Sequence, residues 1–186
     1  MNLKINKILN FWFVEASAEQ KFKKDLKFDQ VIKDKFLSDY ELASQNKLDD
    51  WQGTGKGCLA LIILLDQFSR NLFRESGKAF EQDEKSRSVL HRIIENNFLD
   101  AMNESERLFA LLPFIHSENI SDHEKAYVLM EKYLKNHSEI EKIKKFWLVH
   151  TTAIKRFARY PHRNKVLNRV SSEDEIEFLK SPNSSW

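Results

Sequence analysis

The sequence predicts an all-α protein: a single-domain helical bundle or superhelix of about seven to nine helices, with the one domain spanning residues 1–186. Three observations carry this. The chain holds only four glycines and three prolines, too few for a turn-rich β fold. Apolar residues recur at three- and four-residue steps along most of its length, with no strand-like alternation. Eight successive apolar residues, Cys58 to Leu65, leave no face for water and belong in an interior. A chain of this length hides on the order of 70% of its extended surface on folding, so no disulfide staple is needed.

The elements follow in order. Leu3, Ile5, Ile8, Leu9, Phe11, Trp12 and Phe13 cover most faces of a short helix over residues 3–13, as in a segment packed between neighbours. Phe28, Val31, Ile32, Phe36, Tyr40 and Ala43 predict an amphipathic helix over 27–45, ended by Asn46. Gly53, Gly55 and Gly57 hint at a phosphate loop, but no strand precedes them and no Gly-Lys-Ser/Thr follows. Thr54 is the better reading, as N-cap of the central helix. After Ser76 and Gly77 a helix runs to about residue 96, and another spans Ser105 to Leu112 until Pro113 denies it an amide hydrogen. Ser121 or Asp122 caps a helix to about Leu134. Ser138 opens what reads as the longest helix, with Ile143, Trp147, His150, Ile154 and Phe157 on one face and Pro161 at its end. A short acidic helix starts near Ser172.

The net charge of +2 conceals an uneven distribution. Residues 142–169 carry nine Lys and Arg and no acid, whereas 75–141 hold fourteen acids against eight bases. The C-terminal third is a cationic segment and a natural place for an anion. Its aromatic residues share the inward helix face, which argues against base stacking and hence against nucleic acid. Cys58, the one cysteine, sits in the apolar block and reads as inert; with no disulfide, the chain is expected in a reducing cytoplasm. The N-terminus lacks a signal peptide pattern, and the apolar block falls short of the roughly 20 residues that span a bilayer, so no membrane partner is expected.

Polar residues cluster in three stretches at helix ends: DQFSRN (66–71), PFIHSE (113–118) and RFARYPHRN (156–164). Helix ends leave backbone groups unpaired, and bundles place ligand-facing residues there. Two carboxylates, Asp66 and Glu118, face four guanidiniums, Arg70, Arg156, Arg159 and Arg163. That surplus positive charge suits a carboxylate or phosphate. Gln67, Asn71, His162 and Asn164 complete the binding set, with Asp66 or His116 as the candidate general base. A structural ion pair is the competing reading for Asp66 and Arg70, and a packed core position for His150. The histidines and Glu118 match no metal-ligand spacing, so neither a metal nor a cofactor is expected.

With those residues in hand, the chain resembles the bacterial family called domain of unknown function 924. The likeness runs through ILNFWF (8–13), KKDLKFDQVI (23–32), LDDW (48–51), LIILLDQFSRNLFR (61–74), AFEQD (79–83), RLFALLPFIHSE (107–118), RFARYPHRN (156–164) and FLKSPNSSW at the end. Ser69 stands where the family commonly has proline, and Lys21 where it commonly has tryptophan. The resemblance implies an all-helical, tetratricopeptide-like arrangement, and its most distinctive motifs coincide with the three polar stretches.

The leading expectation is a polar cavity that binds a small anionic molecule, with the three stretches converging on it. The alternative is a tetratricopeptide-like scaffold whose basic groove takes an acidic peptide or protein. The SPNSSW tail suggests in addition that Trp186 packs back on the domain.

Overall fold

The computed structural model describes residues 2–182, 184 and 185. They are helical, with no strand among them, and the suggestion made for Trp186 lies outside the described residues. The chain divides into two compact units. One is built from the residues up to Arg74 and from Lys78–Pro113, the other from Glu75–Gly77 and from Phe114 onward.

The first unit is organised around a buried helix. Thr54 starts it: the hydroxyl oxygen accepts the Gly57 N–H at 3.1 Å, as expected of an N-cap. Helix α4 (Gly55–Ile62) then passes through a π-helical turn, Ile63–Phe68, into α5 (Ser69–Leu72). Cys58 to Leu65 are all 0% exposed. α1 (Leu3–Asn10) runs into a second π-helical turn, Phe11–Glu15, and is followed by α2 (Ala18–Phe22) and α3 (Leu26–Ser44). α3 packs on α5 and on the turn before it, while α4 meets α1 and α6 (Asp83–Glu95). Aromatic rings fill the space between them: Phe11 lies 4.9 Å from Phe36 and Trp12 5.4 Å edge-on to Phe109. Asn46, in the left-handed conformation at φ 64°, ends the α3 segment as its sequence predicts.

α7 (Glu104–Ile115) departs from expectation, because Pro113 lies inside the helix. Proline forfeits one helical hydrogen bond there. The turn that continues past it buries Phe114 and Ile115 completely, and burial of two such side chains outweighs that loss.

In the second unit α8 (Ile120–Tyr133) is capped by Asn119 rather than by Ser121 or Asp122; its side chain accepts the Ser121 N–H at 3.0 Å. α9 (Ile140–Phe157) has 18 residues and is one shorter than α3, so it is not the longest helix. It buries Ile143, Trp147, His150 and Ile154 along the predicted face. Ala158 closes it in the left-handed conformation, and Pro161 opens a 3-10 turn, Pro161–Arg163. α10 (Glu173–Leu179) begins with a capping box between Ser172 and Glu175. Gly77 belongs here, where a Cβ would stand 2.9 Å from the Val166 carbonyl oxygen.

Candidate functional site

The stretch 66–71 lies in the first unit. The π-helical turn carries Asp66 and Gln67, and wide turns of this kind often mark functional positions. Asp66 is 0% exposed. Its carboxylate accepts from Gln67 Nε2 at 2.5 Å and from Arg70 Nη2 at 3.3 Å. Arg70 also pairs with Asp83 at 2.8 Å, donates to the Ala79 carbonyl and covers the Phe80 ring at 4.7 Å. Burial works against the Arg70 charge, but Asp83 and Asp66 more than offset it and the pKa rises. Asn71 donates to Asp29 at 2.8 Å, and Arg74 grips the same carboxylate with two bonds of 2.6 Å.

This unit also contains a cleft of about 400 Å³. Asp49, Glu81 and Glu84 line it around Lys85, whose ammonium pairs with Asp49 at 2.9 Å. None of the candidate site residues borders it, and its charge is of the wrong sign for an anion.

The other two stretches meet within the second unit, and Tyr160 is their junction. Its hydroxyl donates to the Ile115 carbonyl and its amide to Glu118 Oε1 at 2.9 Å. Rings gather around it: His150 lies 5.8 Å away edge-on, His162 5.6 Å and His123 6.5 Å. The Arg163 guanidinium covers its face at 4.4 Å, and His116 stands 6.2 Å from His150. Four of the chain's six histidines therefore share one neighbourhood.

Hydrogen-bond partners assign the tautomers of the two buried rings. His150 Nδ1 is 2.8 Å from the Phe146 carbonyl. An oxygen of that kind only accepts, so Nδ1 carries the hydrogen and Nε2 the lone pair. His123 is the reverse, with Nε2 donating to the Ser117 carbonyl at 2.9 Å and Nδ1 facing the Thr151 hydroxyl at 2.9 Å. Burial, and then the field of His116, holds His150 well below its ordinary pKa of 6.5; His162 and Arg163 push the same way. His123 is lowered too, by burial first and less strongly by His116 and Arg163. At both rings burial is the larger cause, and Asp122 acts the other way on His123.

The remaining predicted residues serve as braces. Burial alone would raise the Glu118 pKa, but bonds from Arg169 and the Tyr160 amide pull it down. Arg169 binds Glu118 with two bonds, of 2.6 and 2.9 Å, and donates to Asn164 Oδ1 at 2.9 Å. Asn164 Nδ2 in turn donates to Ser171 at 3.0 Å. Arg159 is held by Glu175 with bonds of 2.6 and 2.7 Å. Arg156 is exposed over the Phe157 ring at 4.8 Å. The count of two carboxylates against four guanidiniums omitted Asp83 and Glu175, which lie outside the three stretches. Arg169, Tyr160 and Glu175 were not singled out as site residues. Only Glu175 had a legible signal, the Ser-x-x-Glu capping box.

Among the described residues no group of three or more His, Cys, Asp or Glu is placed to hold a metal ion, and no helix is long and apolar enough to cross a membrane.

The model of a family described as bacterial protein of unknown function (DUF924) matches residues 8–183. A solved structure titled as a protein of unknown function, ATU0120 from Agrobacterium tumefaciens, superposes with a TM-score of 0.85. It is 30% identical in sequence, over 95% of this chain and 97% of that one. No curated protein matches the chain.

Proposed function

Because the chain belongs to the bacterial DUF924 family, whose description assigns no chemistry, we propose from its own side chains that the second unit binds a small anionic molecule beside Tyr160. His116, His162 and Arg163 would hold the anion. Both His116 and His162 are partly open to solvent, while Arg163 is 5% exposed and fixed over the tyrosine ring. The observation that carries this reading is the gathering of His116, His162 and Arg163 around Tyr160 and His150, with the Arg163 guanidinium 4.4 Å over the tyrosine ring. A guanidinium with imidazole N–H donors beside it suits an oxyanion. Of the nearby carboxylates, Glu118 is held by Arg169 and Asp122 accepts from the Ser117 hydroxyl.

If the site turns over its ligand, His116 is the acid/base group this geometry supports, since its imidazole is partly open to solvent and stands 6.2 Å from His150. Asp66, buried between Gln67 and Arg70, supports the ion-pair reading instead. The scaffold reading draws less support: of the basic side chains it would need, Arg70 and Arg159 are bound to carboxylates.

Thermal stabilisation by phosphate, sulfate, citrate and small dicarboxylates tests the proposal. An anion at about 100 times its Kd adds about 2.7 kcal/mol of stability. His162→Ala and Arg163→Gln should each shrink the shift, while Arg70→Lys should leave it intact. Equal shifts in all three variants, or none in the wild type, would overturn the reading.

A further inference from the structure

A second feature of the molecule lies far along the chain from those residues, where α2 gives way to α3. The sequence there is KFKKDLK (21–27). Phe22 is 60% exposed and Leu26 68%, and exposed apolar side chains carry meaning where they form a patch. Phe22 stacks on Phe109 at 6.1 Å, Phe109 meets Phe13 at 5.7 Å, and Val14 beside it is 75% exposed. The apolar surface therefore extends beyond the segment itself.

Lys21, Lys23, Lys24 and Lys27 flank these side chains in sequence, and Lys23, Lys24 and Lys27 are exposed. Asp25, the one acid in the segment, is turned into the fold: its Oδ1 accepts the amide hydrogens of Lys27 and Phe28 at 2.9 and 3.1 Å. Lys23 pairs with Glu19 at 2.6 Å, but both side chains are more than 70% exposed, so water and salt screen the pair. The Lys21 ammonium lies over the Trp12 ring at 5.9 Å, its stem flanking the aromatic residues.

We propose that this face docks on an anionic lipid surface, with Phe22 and Leu26 entering the headgroup boundary and the lysines facing the lipid phosphates. Charge complementarity selects the sign of the partner. Shape selects its kind: Phe22, Leu26 and Val14 project outward, which suits a fluid surface that closes around each side chain, whereas a peptide needs a preformed groove. Neither the apolar nor the basic part anchors strongly alone, and together they give a reversible attachment. Docking of this kind requires no membrane-crossing helix.

Co-sedimentation of the full chain with vesicles tests it. Vesicles of phosphatidylcholine with phosphatidylglycerol should bind the protein, those of phosphatidylcholine alone should not, and added salt should weaken the binding. Phe22→Ser with Leu26→Ser should lower the partition coefficient at least about tenfold, and Lys23→Glu with Lys24→Glu by a similar factor. All four positions are exposed, so circular dichroism should report intact folding, with a small drop in melting temperature for the Phe22→Ser pair from the lost Phe109 contact. Arg163→Gln should not alter vesicle binding. No binding to anionic vesicles, or binding unaffected by both double substitutions, overturns the proposal. So does capture of polyglutamate, or self-association in solution, that depends on Phe22 and Leu26 while vesicles go unbound.

Discussion

Replacing Gly57 by alanine probes the start of the buried helix directly. A Cβ at this position would stand 2.0 Å from the Trp51 carbonyl oxygen, 2.8 Å from its carbon and 3.0 Å from Thr54 Oγ1. The first two atoms are backbone and cannot rotate away. The Asp49–Gly53 turn must therefore back off from α4, and the Thr54 cap on the Gly57 amide must stretch or break. Forcing a group into packed surroundings costs about 1–3 kcal/mol, and loss of a cap about 1 kcal/mol more. Against this, alanine in place of glycine within a helix returns about 1 kcal/mol. The net expectation is a destabilisation of about 1–3 kcal/mol, which for a chain of this size lowers Tm by roughly 2–12 °C. Gly53→Ala is the internal control, since its Cβ would meet nothing within 4 Å. Circular dichroism melts of both variants decide the matter. A Tm for Gly57→Ala equal to or above that of Gly53→Ala would refute the close-approach argument.

Ala158→Gly should act in the opposite direction. Ala158 closes α9 at φ 55°, a conformation that costs an L-residue about 1–2 kcal/mol and glycine little, so urea unfolding should show a gain of about 1 kcal/mol. Cys58 is fully buried, and that burial raises its thiol pKa to about 11; a disulfide reagent at pH 8 should label it only in denaturant, and labelling of the native protein would contradict its placement. Glu175 should shape the acid limb of stability. Its two bonds from Arg159 lower its pKa from an ordinary 4.5 to about 2. A carboxylate that ionises more easily when folded contributes fully above about 4.5, and the contribution disappears as pH falls through about 2. Arg159→Ala should therefore cost stability at pH 6 and make little difference at pH 2. A loss of equal size at both values would show that the guanidinium acts through packing alone.

The extent to which the chain could be read in advance differs between its two kinds of feature. Helix type and most boundaries rest on local facts, namely the spacing of apolar residues and the caps Thr54, Asn46 and Ser172, and these appear where the pattern put them. Pro113 misled because its cost is local while the compensation is not. Phe114 and Ile115 are fully buried, and the Ile115 carbonyl accepts from Tyr160, 45 positions away. The same asymmetry governs the site. That Arg163 and the histidines at 116 and 162 deserve notice was visible in their crowding at helix ends.

Which arginines are already occupied was not visible, because Asp83 and Glu175 lie 13 and 16 positions from the guanidiniums they bind. His150 shows the point most plainly. Its place on the inward face of α9 followed from helical period alone, whereas its meeting with His116, 34 positions earlier, required the chain to fold back on itself. By itself the sequence determined an all-helical chain with a buried central helix, since periodicity and capping act over a few residues at a time. The tertiary structure alone decided which charges neutralise one another and which gather, because the field at a buried group depends on neighbours that the order of the chain does not reveal.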